Sequence, residues 1–340
     1  MLIDGGKPMR RNKWKKAGLT VLSAVFMGSF SIAAADTGIP ALAATKDVAV
    51  TEYDEAALEK FKDNTLEYWE IPGLIERYNT DYQNQLQKYY YNPGGSTGLT
   101  KDQMSAMAAD LRAEADACGM TINAYTIGAC LYQDTPERNA AEVERLKRQV
   151  DIAAVLGCSV MRHDACYSLG STGNARSFGL MLPTIAANIR AVTEYAATKG
   201  IRTAVENHGF VAQDSYRVEQ LFNAVAHDNF GLLVDVGNFV CADEDNVTAV
   251  SRVAPYAVHV HAKDMYKSTE PLPGYGQTRA CNYFKGAIIG EGDVNVEQCL
   301  RVLKRAGYDG YCSIEFEGSE DCIYGIETGL RNLRAMLERI

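Results

Sequence analysis

The chain has 340 residues, 47% of them hydrophobic and 23% charged, the balance of an ordinary globular protein. Its net charge is −9 with no Lys/Arg block beyond the N-terminus, which excludes a duplex nucleic-acid partner, because a phosphate backbone demands a basic footprint. A small metabolite remains compatible with that charge, and an α/β barrel fills about 250 residues as one domain.

Residues 1–44 are a different kind of sequence. Arg10, Arg11, Lys13, Lys15 and Lys16 precede the uncharged run AGLTVLSAVFMGSFSIAAA (17–35), and small-residue sites follow at Ala33–Ala35 and at Ala41, Ala43 and Ala44. This is the order of a secretory signal peptide, so export is expected, with a membrane met only through this segment. An uncleaved anchor is the alternative, since 19 uncharged residues just suffice to span a bilayer. The nine cysteines point the other way. They are odd in number and form no CxxC, and Cys130, Cys158 and Cys312 sit in apolar stretches. Such thiols behave as small core hydrophobes, in keeping with a reducing environment.

Residues 45–340 read as a single domain. Its first candidate strands are VAVTEYD (48–54) and LEYWEI (66–71). A helical run at 101–118 leads into the strand TINAYTIGA (121–129), and one at 137–157 into SVMRHDA (159–165). The run 182–199 precedes RTAVENH (202–208), and 215–227 precedes GLLVDVGN (231–238). YAVHVHAKD (256–264) follows, then a helix at 294–306, the strand YCSIEFEG (311–318) and a closing helix at 323–340. Helix-then-strand alternation implies parallel strands joined by crossovers. Eight strands close a (β/α)8 TIM barrel of the α/β class. An open doubly wound sheet normally shows a Gly-rich phosphate loop, and no GxGxxG occurs.

In a parallel barrel the site lies where the strands end. Four strands here are apolar until their last residues and then turn polar: AVENHG with Glu206 and His208, LLVDVGN with Asp235, VHVHAKD with His259 and His261, and SIEFEG with Glu315 and Glu317. A lone histidine or carboxylate at a strand end is usually a satisfied rim residue. Four polar ends in succession are not, since each buried charge costs several kcal/mol unless paired or coordinated. An oxygen-rich set with one nitrogen suits one divalent ion, Mn²⁺ or Mg²⁺, with Zn²⁺ also accommodated.

From about residue 100 onward the motifs AVENHG, VDVGN, HxKD and IEFEG resemble those of the xylose isomerase-like barrels, the sugar-phosphate isomerase/epimerase group. The resemblance implies a metal held by Glu206, Asp235, His261 and Glu315. It likewise makes Glu206 and Glu315 the acid–base pair, one removing a proton beside a carbonyl and the other returning it through a cis-enediolate. The expected activity is a sugar or sugar-like isomerase or epimerase acting on a small carbohydrate, with a homo-oligomer compatible. One departure stands out: Asn238, a candidate substrate contact, occupies a position where these epimerases often place a histidine.

Other residues are candidates for substrate contact. His208 shares the inward face of Glu206, and Lys263 lies one step beyond His261. On MRHD, Arg162 and Asp164 share one face and His163 the other, so either Arg162 or His163 reaches the interior. His261 and Glu315 are 54 positions apart, against 29 and 26 for the two preceding intervals. The added residues, 266–294, form a long loop at the mouth, the usual place for function. Arg279, Asn282, Tyr283 and Lys285 are its candidates. Rival readings are a lyase, in which the enediolate expels a β-leaving group, and a sugar-binding module without catalysis. A trinuclear-zinc nuclease on this fold would need more than the five histidines present.

Overall fold

The computed structural model describes Ala24–Val25 and residues 101–166 and 177–340. In chain order the elements are β1 (Ala24–Val25), α1 (Lys101–Ala117), β2 (Tyr125–Ile127), α2 (Pro136–Leu156), β3 (Val160–His163), α3 (Phe178–Ala197) and β4 (Arg202–Glu206). Next come α4 (Ser215–Val225), β5 (Phe230–Asp235), α5 (Asn246–Val253), β6 (Ala257–Ala262), β7 (Asp264–Ser268), β8 (Gly276–Gln277) and β9 (Tyr283–Ala287). The chain closes with α6 (Val296–Arg305), β10 (Cys312–Ile314) and α7 (Cys322–Glu338). The strands β1-β2-β3-β4-β5-β6-β10 pair in parallel in that order, with helical crossovers, and the fold is a TIM barrel. The expected strands 48–54 and 66–71 and the segment 1–44, apart from Ala24–Val25, lie outside the described residues. Ser29–Met104 divides off as a second unit, of which only residues 101–104 are described.

Local chemistry sets the boundaries. Thr135 accepts the Arg138 N–H at 3.2 Å and Pro136 fills the first helical position, so α2 starts there. Residues 246–253, left between two strands by the sequence, form α5, capped by Asp245, which accepts the Thr248 N–H at 2.8 Å. Eight residues, barely two turns, are too short for their apolar positions to establish a helical period beforehand.

The strands alternate as a barrel wall should. On β4, Thr203 faces the helices and bonds Thr193 of α3 at 2.7 Å, while Ala204 and Glu206 face the interior. α3 covers this wall with Met181, Ile185, Ile189 and Val192, all fully buried. β5 is buried along its whole length. Between β5 and β6 a bulge skips Val258, and a Cβ on Gly231 would come within 2.3 Å of that valine's side chain. Glycine at 231 leaves room for the bulge.

The expected long loop is instead a small antiparallel sheet in the order β7-β9-β8. β6 ends at Ala262, one residue before the excursion starts. Asp264 is buried at its root, and its carboxylate accepts four backbone N–H groups, from Met265, Gly290, Gly292 and Val294, at 2.8–3.1 Å. A Cβ on Gly292 would lie 2.2 Å from that carboxylate, so both ends of the excursion close on one side chain. Among the described residues no helix is long and apolar enough to cross a membrane.

Candidate metal centre

The interior-facing ends of β4, β5 and β6, and the residue just past β10, bring four side chains together. Glu206, Asp235, His261 and Glu315 each offer one ligand atom, and those atoms lie within 4.8 Å of one another. Glu206, Asp235 and His261 are buried, and Glu315 is partly open at the mouth. The four strand ends are staggered in the ladder rather than level. Asp235 pairs with His261, whereas Glu206 pairs with Leu233, two residues short, and Glu315 lies two residues beyond Ser313, the partner of His261. The offsets are even, so all four keep one face, and the tilt of barrel strands brings staggered residues to one height.

Asp235 is divided between two tasks. Its Oδ1 accepts the N–H groups of Gly237 and Asn238 at 2.7 and 2.8 Å. Its Oδ2 is buried without a hydrogen-bond partner and faces His261 Nδ1 at 3.8 Å. The same Nδ1 lies 3.1 Å from Glu315 and 3.5 Å from Glu206. Burial and the repulsion of Glu315 and Glu206 raise the Asp235 pKa against the pull of Lys263. Burial opposes a charge on His261, but Glu315 and Glu206 outweigh it and lift the ring to about 10. Burial also opposes the charge on Glu206, and Arg162 and His261 overcome it, holding that carboxyl at about 2.

Two cations brace the cluster. Arg162 Nε lies 2.6 Å from Glu206 Oε2, and another guanidinium nitrogen lies 2.7 Å from Asp164. Asp164 also bonds His208 Nδ1 at 2.8 Å, so Glu206, Arg162, Asp164 and His208 form one chain of contacts running towards the half-buried His208. Lys263 is buried, with its ammonium 2.8 Å from Glu317, 3.4 Å from Glu315 and 4.0 Å from Asp235. Burial works against that charge, and Glu315, Asp235 and Glu317 keep it. Five carboxylates thus face three cations: Arg162, Lys263 and the proton-bearing His261 ring. That surplus of negative charge and the unpartnered Asp235 oxygen are what a divalent cation satisfies, and the donor set of three carboxylates and one imidazole fits one.

The remaining candidates divide. Asn238 donates to Glu206 Oε1 at 3.1 Å, so it holds a carboxylate of the cluster. Of the two alternatives on β3, the barrel's parity turns Arg162 inward and His163 outward. His163 is fully buried, with Nδ1 2.9 Å from the Asp164 carbonyl oxygen, and burial lowers its pKa to about 4. It does not reach the interior. In the excursion, Arg279 pairs with Asp214 at 2.7 Å, donates to the Phe210 carbonyl and lies over the Phe210 ring. Asn282 donates to Asp243, which also accepts from Thr278 and the Ala280 N–H. These two residues clasp the excursion to the rim rather than entering the cluster. Tyr283 and Lys285 lie half-buried on β9, Lys285 opposite Tyr266.

Three further residues support these strand ends: Asn207, which the sequence reading passed over, and Asp164 and His259, which it named only by face and position. Asn207 donates to the Asp235 carbonyl at 2.9 Å and accepts the Asp235 N–H at 2.8 Å, locking β4 to β5. Asp164 is the hub between Arg162 and His208. His259, two residues below His261, bonds Ser313 at 2.9 Å and meets the His261 ring edge-on at 5.7 Å between centroids. Asn207 was visible in the motif that carries Glu206, as a polar residue of opposite parity in a buried strand end.

Comparison with known proteins agrees with this architecture. The family described as xylose isomerase-like TIM barrel matches residues 91–340. An inosose dehydratase of Clostridium perfringens is 28% identical over 138 residues, covering 39% of this chain and 46% of that protein. The chain thus spans about half the length of the curated relatives it matches. A xylose isomerase-like barrel protein of Mycobacterium smegmatis, solved in complex with magnesium, is 19% identical with a TM-score of 0.54, covering 71% of this chain and 80% of that one. A 3-keto-D-glucoside 4-epimerase of Escherichia coli is 12% identical with a TM-score of 0.53, covering 70% and 87%.

Proposed function

The chain belongs to the xylose isomerase-like TIM barrel family, and from that premise we propose that it is a divalent-cation-dependent isomerase or epimerase of a small carbohydrate or sugar-like substrate. The observation that carries this reading is the convergence of Glu206, Asp235, His261 and Glu315 around the unpartnered Asp235 oxygen. These four would hold the ion, Mn²⁺, Mg²⁺ or Zn²⁺. When bound, the ion supplies polarisation of the substrate carbonyl and neighbouring hydroxyl.

The protein's own groups move the proton. Glu206 and Glu315 stand at the ends of β4 and β10, with β5 and β6 between them, so their carboxylates flank Asp235 and His261. A sugar seated between them presents its acidic carbon to one and its opposite face to the other. Arg162 and Asn238 fix Glu206, while Glu315, more open, has room to shift with the substrate. His208 and Lys263, turned to the mouth and the interior, are the proposed hydroxyl and oxyanion contacts. Return of the proton to the same carbon is epimerisation, and to its neighbour isomerisation.

A second reading is favoured by a specific observation: matching relatives are named inosose dehydratase. On the same site the proton leaves as before and a β-hydroxyl departs as water. A screen of ketoses, keto-inositols and 3-keto-glycosides with Mn²⁺ in deuterated water separates the two. Deuterium entering the carbon skeleton without loss of water is the result expected, and a dehydrated product would establish the lyase. Glu315→Gln should abolish turnover with an unchanged circular dichroism spectrum, and undiminished turnover would sink the assignment.

A further inference from the structure

Beyond β2 and β3 the chain continues as two neighbouring segments, joined where the Leu131 N–H donates to the Ala165 carbonyl at 2.8 Å. This pairing brings the Sγ atoms of Cys130 and Cys166 to 3.4 Å. Cys130 is half-buried and Cys166 buried. The Cys130 backbone is itself held, its N–H donating to Glu142 of α2 at 3.0 Å. We propose that Cys130 and Cys166 form a redox-active pair that closes into a disulfide by exchange with a small-molecule disulfide, stapling the segments after β2 and β3 at the barrel mouth.

The step balances as an ordinary exchange. The Cys130 thiolate, the more reachable of the two, attacks one sulfur of the oxidant, whose S–S bond breaks and releases one thiolate. The Cys166 thiolate then attacks Cys130 Sγ in the mixed disulfide, forming the internal bond and expelling the second thiolate. The two cysteines lose two protons and two electrons, and the oxidant is reduced to two thiols. The other cysteines away from the surface are poor competitors: desolvation pushes the thiols of buried Cys158 up to about 11 and of buried Cys299 and half-buried Cys241 and Cys312 to about 12. Cys166 follows Asp164 by two residues, so closure also restrains the segment that holds Arg162 and His208. The inference uses nothing of the proposed metal chemistry.

The test uses the full chain with exposed Cys118, Cys281 and Cys322 replaced by Ser, which removes competing surface thiols. The reduced protein is treated with oxidised glutathione, alkylated and mapped by mass spectrometry. The proposal expects a mass lower by two hydrogens and a linked peptide pair containing Cys130 and Cys166. Both changes should be reversed by dithiothreitol, and the oxidised form should melt at a higher temperature. In Cys166→Ser, Cys130 should instead retain a glutathione. Recovery of both cysteines alkylated after oxidation, or a lasting glutathione on Cys130 while Cys166 is present, would overturn it.

Discussion

The strand-end cluster and the excursion 264–294 are both rich in polar residues, yet they use polarity in opposite ways. In the cluster, charged groups converge inside an apolar barrel and leave the Asp235 Oδ2 without a partner. In the excursion, Arg279, Asn282 and Thr278 spend their hydrogen bonds on Asp214, Phe210 and Asp243, fastening one surface segment to another. A polar residue in an apolar strand is informative because burial makes it expensive. In a surface segment it is the default, and residue type alone does not separate a substrate contact from a clasp.

Four substitutions probe that contrast. The largest effect belongs inside the cluster. Asp235→Asn keeps the two turn amides supplied with an acceptor but removes the charge, so manganese content should fall far below one ion per chain. The loss in affinity should exceed the roughly 10–100-fold typical of losing an outer supporting contact, as read by metal analysis after dialysis. Full metal occupancy would break the distinction between the regions. At the root of the excursion, Asp264→Ala leaves four backbone amides without their acceptor. It should destabilise the protein by about 3 kcal/mol in urea titration while metal affinity is retained.

His163 sharpens the contrast from a third position, a polar residue in a buried strand but on the outward face. Its folded pKa of about 4 lies below the ordinary 6.5, so its contribution to stability is complete above pH 6.5 and is lost as pH falls through 4. Between pH 7 and pH 5 this group alone should remove about 2 kcal/mol, and His163→Leu should flatten the stability profile by that amount. An unchanged slope would place the acid sensitivity elsewhere. The smallest effect is expected at the tip. Arg279→Ala breaks a partly exposed ion pair worth about 0.2–1 kcal/mol and should alter KM more than kcat.

The same contrast explains what the sequence made legible. AVENHG, VDVGN, HxKD and IEFEG could be read because each breaks an apolar run at its end, and the barrel follows from the alternation of such runs with helices. The stagger of Glu206, Asp235, His261 and Glu315 could not, because strand tilt and the bulge at Val258 belong to pairing between strands. The inward turn of Arg162 instead of His163 rested on the parity of β3 in the closed wall, which MRHD does not contain. In the sequence Asp264 is simply one more polar residue after His261. Its four amide partners are at Met265 and from 26 to 30 residues further on, and only the folded chain brings them together.

Asp264 also has an evolutionary consequence. Because the excursion's two ends are tied to one carboxylate, exchanging residues 266–289 should leave the register of β6 and β10 in place, provided that the contacts of Thr278, Arg279 and Asn282 with the rim are kept. The barrel thus carries a replaceable cassette over its mouth. Transplanting that stretch between related chains, with Asp264 and Gly292 retained, is the natural route to altering what the barrel accepts.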